Sequence, residues 1–158
     1  MKEVIICEKL DISPPGPREK IMHFEELLRQ HPEAGFGDQE DCPLTHTFAE
    51  GMYVREIFIP AGKVIVGKIH KHSHPNFLLK GKVSVYTEFG GIEHLEAPQS
   101  IISKAGTKRV VVTHEDTVWV TVHLNPNEHR DLNKIEDEVI AKDYDDYQIE
   151  NEEKKWLG

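Results

Sequence analysis

From Met52 to His123 the chain is a succession of short apolar segments, each closed by glycine, proline or acidic turn residues, with no helical stretch between them. The segment from Tyr53 to Ile59 runs into the turn Pro60-Ala-Gly62, and Val64 to His70 follows. Phe77 to Leu79, Lys82 to Thr87, Ser100 to Ser103, Arg109 to Thr113 and Thr117 to His123 complete the series, with Lys80-Gly81 and Gly90-Gly91 as punctuation. Valine, isoleucine, threonine and aromatic side chains suit a pleated, half-buried surface. Parallel neighbours would need a crossover of a dozen or more residues, and these connections are too short. The series therefore dictates a mainly β, antiparallel sandwich or barrel.

The flanks read differently. Ser13-Pro-Pro-Gly-Pro17 is a breaker suited to a helix entry, and Glu19 to Gln30 then places Ile21, Phe24, Leu27 and Leu28 at helical spacing until His31-Pro32 ends it. Residues 33–51 are rich in Gly, Asp, Pro and Thr and read as a surface loop. After Asn125-Pro126, the residues Leu132, Ile135, Val139 and Ile140 predict a short amphipathic helix. The expected organisation is an N-terminal extension over 1–51, a barrel over 52–125, and an acidic helix and tail over 126–158. At 158 residues the chain can bury one core of useful size.

Charge and cysteine use exclude several classes of function. Of the formal net charge of −9, the stretch from Glu136 to Gly158, with nine acidic residues and three lysines, holds −6. No Lys/Arg cluster of the kind phosphate backbones require is present, so a nucleic-acid partner is not expected. No apolar run approaches the ~20 residues of a membrane span. The start, Met1-Lys-Glu-Val-Ile-Ile-Cys-Glu8, is too short and too charged for a signal peptide. Cys7 and Cys42 form neither a Cys-x-x-Cys pair nor a disulfide framework, and a cytoplasmic location is the default expectation.

The most informative local feature is Gly67-Lys-Ile-His70-Lys-His72-Ser-His74. Alternate residues of a strand share one face, so His70, His72 and His74 are expected to converge. Imidazole is the commonest protein ligand of divalent transition metals, and about three such groups hold one ion. An all-imidazole set suits Fe, Mn, Ni or Zn without choosing among them.

Pro60-Ala-Gly62, the His-x-His at 70 and 72, and Leu79-Lys-Gly81-Lys-Val83 resemble the first motif of the cupin superfamily. These are small jelly-roll β-barrels that usually hold a metal in the barrel mouth. In that motif a Glu follows the His pair and a Gly comes six residues later. Here six residues separate His74 from Gly81, so His74 stands in the place of the Glu, or Asn76 corresponds to it. The second motif of the family, aligned on Gly106, puts Pro98, Lys104, Arg109 and Thr113 where Gly, Pro, His and Asn stand. Arginine in the fourth ligand position cannot ligate, because a guanidinium is always charged and only donates. The stretch from Ala105 to Trp119 is also similar to small cupin-like proteins of bacteriophages, which implies a virion or accessory role.

The resemblance implies a cupin-like barrel with an N-terminal helix and a short C-terminal helix. It also implies metal chemistry of the oxygenase or isomerase type on a small organic molecule, and a homodimer paired through edge strands. His123 is the expected fourth metal ligand, because Thr117, Trp119, Thr121 and His123 share one strand face; His114, beside the turn Glu115-Asp116, is its competitor. Arg109 is expected to recognise a carboxylate or phosphate, with Glu56 as the nearest protein partner. Trp119 is assigned to the core or to a ligand cavity. His46 is a loop histidine that could cap the mouth, and His23, His31, His94 and His129 carry no assignment. The alternative function is a non-catalytic cupin, binding or structural, without metal chemistry. No Ser-His-Asp or Cys-His pattern and no Gly-rich phosphate loop stands out.

Overall fold

A computed structural model describes residues 16–36 and 40–148. The N-terminal start with Cys7 and the end of the acidic tail lie outside the described residues. Helix α1 (Pro17–Arg29) begins on a proline, whose missing N–H is no loss in a first turn. The Glu19 carboxylate accepts from the Gly16 N–H at 3.0 Å and closes that turn.

The strands are β1 (Leu44–Ala49), β2 (Met52–Ile59), β3 (Val64–Val66), β4 (Ile69–His70), β5 (His74–Lys80), β6 (Lys82–Thr87), β7 (Gly91–Glu96), β8 (Gln99–Ser103), β9 (Arg109–Thr113) and β10 (Thr117–Leu124). Helix α2 (Leu132–Val139) and β11 (Ile140–Ala141) follow. One sheet has the order β1-β2-β10-β5-β8, a second β3-β9-β6-β7, and β11 pairs with β4. All the pairings are antiparallel. The jelly-roll expectation holds.

Three sequence expectations are corrected. Residues 44–49, read as loop, form the edge strand β1, because Leu44, His46 and Phe48 alternate with exposed Thr45, Thr47 and Ala49 and pair with β2. Gly91 to Glu96, in which apolar alternation is weak, forms β7. Ile140, expected on the C-terminal helix, lies past its end on β11 opposite His70. In addition, α1 buries Ile21 fully but leaves Leu27 about half exposed, so its apolar stripe is narrower than the spacing suggests.

The core between the sheets consists of Leu78, Val83, Val85, Leu95, Val111 and Trp119. At one end Tyr53 packs with Ile135 and Val139, so α2 closes that end. On the outer side of the four-stranded sheet, Ile21 and Phe24 of α1 share an apolar cleft with Tyr86 and Val110. Glu25 of α1 pairs there with the buried Lys108 ammonium.

Two glycines are required. Gly81, between β5 and β6, has φ +98°, and a Cβ there would stand 2.6 Å from Thr117 Oγ1 and 2.7 Å from the Asp116 carbonyl. Gly106 has φ +80°, and a Cβ would stand 2.7 Å from the Tyr147 ring. At the β2–β3 turn, the buried Thr113 hydroxyl donates to the Pro60 carbonyl at 2.7 Å and accepts from the Lys63 N–H at 2.9 Å.

Candidate metal centre

His70 ends β4, His74 opens β5 and His123 lies near the end of β10. Their ligand nitrogens all lie within 4.8 Å of one another. The rings pack closely: centroids are 4.4 Å apart for His70 and His74, 4.7 Å for His74 and His123, and 5.3 Å for His70 and His123, the last pair stacked at 9°. The convergence does not come from strand alternation. The chain bends through 71–73 between two strands, which returns His74 to His70 and leaves His72 exposed and outside the group. His123 joins from the sheet face that the β10 pattern indicates, where Thr117, Trp119, Thr121 and His123 are all buried.

The hydrogen bonds fix one tautomer. His74 Nδ1 lies 3.1 Å from the His72 carbonyl oxygen. A carbonyl only accepts, so the proton sits on Nδ1 and Nε2 keeps its lone pair. That Nε2 is buried and has no partner. An orphaned buried nitrogen is costly. Here it faces a cluster of imidazoles, and its other ring nitrogen is anchored as in metal-binding histidines.

Burial depresses all three histidines below their ordinary range. His70 is lowered to about 2, by desolvation first and then by His74, His123, Arg109 and Arg55. His123 is lowered to about 3, by desolvation and then by His74, Arg55 and His72. His74 is lowered by desolvation, partly offset by its bond to the His72 carbonyl. At neutral pH the trio is uncharged, as ligation requires. Bonds of ~2.1 Å would bring tetrahedral or octahedral nitrogens to ~3.0–3.4 Å, a contraction of up to ~1.4–1.8 Å from the widest separation of 4.8 Å. The residues fit a divalent transition ion.

Arg109 points into the barrel on β9, and its neighbours differ from the expected Glu56. Glu56 lies on the other side of β2 from the inward Arg55. Arg109 Nη1 donates to Asn76 Oδ1 at 3.3 Å, Nη2 donates to Ser103 Oγ, and the guanidinium lies 5.5 Å over the Trp119 ring. Asn76 is fully buried and organises this group: its Oδ1 also accepts from Trp119 Nε1 at 3.1 Å, and its Nδ2 donates to Ser103 Oγ at 2.7 Å. Arg109 Nε is buried without a partner, and burial lowers the guanidinium to about 10. Its hydrogen-bond partners are all neutral, while the Glu88 and Glu93 carboxylates act on it only through the field, so a guanidinium with a free buried N–H favours a directly bound anion. Asn76 carried weak signal in the sequence, as one of two candidates for the Glu of the first motif.

The remaining histidines fall elsewhere. His114 Nε2 and His94 Nδ1 lie 2.6 and 2.8 Å from the Ser84 hydroxyl on the outer side of the four-stranded sheet. His46 stands 2.7 Å from the Tyr53 hydroxyl and stacks on that ring, which in turn stacks on His123. It sits on a strand beside the site rather than in a loop over it. That contact was not visible in the sequence, because β1 itself was read as loop.

Two antiparallel sheets closing around a histidine cluster at one end constitute the cupin fold, the double-stranded β-helix. Among solved structures, ectoine synthase from P. lautus is similar at 12% identity, over 56% of this chain and 67% of that one, with a TM-score of 0.50. A double-stranded β-helix protein from Klebsiella pneumoniae matches at 17% identity over 60% of this chain and 85% of that one, TM-score 0.48. The cupin domain of Schizosaccharomyces pombe Cnp3 matches at 16% over 57% and 69%, TM-score 0.47. At these identities the likeness is one of fold. No family model and no curated protein matches the chain. No helix among the described residues is long and apolar enough to cross a membrane.

Proposed function

We propose that the protein is a small cupin-fold metalloprotein that holds one divalent transition ion through His70, His74 and His123 and takes a small anionic organic molecule beside it. The observation that carries this reading is the buried, unpartnered His74 Nε2 within a trio of neutral imidazoles. When bound, such an ion supplies Lewis acidity or a redox centre. The chain's own residues bind and orient. Arg109 offers its free Nε–H to a carboxylate or phosphate, Asn76 and Ser103 hold the guanidinium in place, and the stacked rings of Tyr53 and His123 keep water from the cluster.

One observation favours the second reading, a metal-free binding or structural protein. Arg109 and Arg55 act electrostatically on these histidines, and positive charge opposes a dication unless an anion accompanies it. Elemental analysis of untagged protein decides between them. About one equivalent of Fe, Mn, Ni or Zn, lost in the His70→Ala/His74→Ala double variant, supports the metalloprotein. No metal on isolation and no stoichiometric uptake from any of the four ions leaves the second reading.

A further inference from the structure

On the outer side of the four-stranded sheet, α1 covers Tyr86 of β6 and Val110 of β9. Alternate residues keep to one side of a sheet, so Ser84 of β6 and its cross-strand partner Val112 of β9 lie on this same outer side. His94 of β7 is paired with Ser84 from the other direction, and His114, one residue past the end of β9, follows Val112 at the same parity. His114 Nε2 lies 2.6 Å and His94 Nδ1 2.8 Å from the Ser84 hydroxyl oxygen. Two imidazoles thus converge on one point from either side of β6. The backbone holds them there. Strands β7 and β9 are both laddered to β6, and the His114 N–H donates to the Lys82 carbonyl at 2.8 Å, which extends that ladder. Side chains carried by such fixed strands are placed more precisely than side chains on loops.

The group suits a cation. A serine hydroxyl has one proton, so Ser84 donates to one ring and accepts the N–H of the other. Both imidazoles are exposed, and a change of tautomer through solvent turns two lone pairs on the same point. Lying 2.6 and 2.8 Å from one atom, the two nitrogens are no more than ~5.4 Å apart. Neighbouring ligands at ~2.1 Å from an ion stand ~3.0–3.4 Å apart, a closure open to exposed side chains. Beside them, Lys82 Nζ lies 3.4 Å from a Glu96 carboxylate oxygen and 3.5 Å from one of Glu115, so the patch sets two carboxylates against one ammonium. Glu96, two residues along β7 from His94 and on the same side, is placed to add an oxygen ligand. Imidazole with such oxygens selects the late divalent transition ions.

We propose that His94 and His114, gathered over Ser84, form a second metal site on the outside of the barrel, which takes a late divalent ion such as Ni²⁺, Cu²⁺ or Zn²⁺, with water or the Glu96 carboxylate completing its shell. Two exposed imidazoles hold an ion more weakly than three buried ones, so this site exchanges with free metal in solution. It shares no residue with the trio inside the barrel. The test is equilibrium dialysis of the full chain against Ni²⁺, read by elemental analysis; Ni²⁺ is the probe because Cu²⁺ would oxidise the free Cys42 thiol. The parent should take up one equivalent more than His94→Ala/His114→Ala. That difference is read whether or not His70, His74 and His123 bind an ion, so failure of the central reading leaves it intact. Both substituted side chains are exposed, and the variant should keep the native circular dichroism and thermal midpoint. His23→Ala/His31→Ala, which removes two exposed imidazoles far from Ser84 in sequence and on a different element, should leave uptake at the parent's level. Equal uptake by the parent and His94→Ala/His114→Ala would overturn the proposal. An equal loss in His23→Ala/His31→Ala would overturn it too, because the additional ion would then belong to surface histidines in general.

Discussion

Acid should unfold the metal-free protein in a pH window set by its histidines. His70 and His123, at about 2 and about 3 in the folded chain, titrate near 6.5 once unfolded. Between those values the unfolded state binds protons that the folded state refuses, so stability is full above ~6.5 and falls as pH drops. Each such group costs about 1.4 kcal/mol per pH unit below 6.5, which is about 2 kcal/mol at pH 5 and ~4 kcal/mol for the two together. The lowered His74 acts in the same direction. Against a total stability of typically 5–15 kcal/mol, this is a large fraction. The assay is urea unfolding of chelator-treated protein at pH 7.5, 6 and 5, followed by tryptophan fluorescence. The midpoint should fall steeply between pH 6.5 and 5, and His70→Leu/His123→Leu should flatten the slope. A parent midpoint that does not change over that range would refute the claim that these imidazoles are buried uncharged.

The other expected outcomes concern individual groups. His72→Ala should leave metal affinity within a few-fold of the parent, whereas His74→Ala should lower it by ~100-fold or more, as calorimetric titration with Zn²⁺ would read. Arg109→Met should raise metal affinity by removing a like charge and should abolish the enhancement of metal binding by small carboxylates such as oxalate; unchanged values would show that Arg109 does not face the site. Gly81→Ala should lower stability by about 2–4 kcal/mol, since a Cβ meets the Asp116 carbonyl at 2.7 Å in a backbone conformation that alanine resists, and thermal unfolding measures it.

The barrel was legible because strands β2, β6, β9 and β10 are runs of β-branched residues with clear stops. Strand β1 was not, because Thr45, Thr47 and Ala49 carry no apolar signal and its pairing with β2 is decided by tertiary context. Within the site, His70, His74 and His123 were named from spacing and strand parity and Arg109 from the family resemblance, and all four side chains meet buried partners inside the barrel. His72 was named by the same parity, but the bend at 71–73 breaks the strand, and a bend inside a polar stretch has no period to detect. Asn76 illustrates a different limit. Its role comes from three partners on β8, β9 and β10, far apart in sequence.

The α2–β11 segment ties itself to the centre: Ile140 pairs with His70, and the Lys71 N–H donates to the Val139 carbonyl at 2.8 Å. An ion held as proposed would have His70 locked by this clasp, whose release costs backbone hydrogen bonds as well as the Ile135 and Val139 packing on Tyr53. Residence time at such a centre would then follow the opening of the clasp, so a modest equilibrium affinity would be compatible with occupancy that outlasts a chelator challenge.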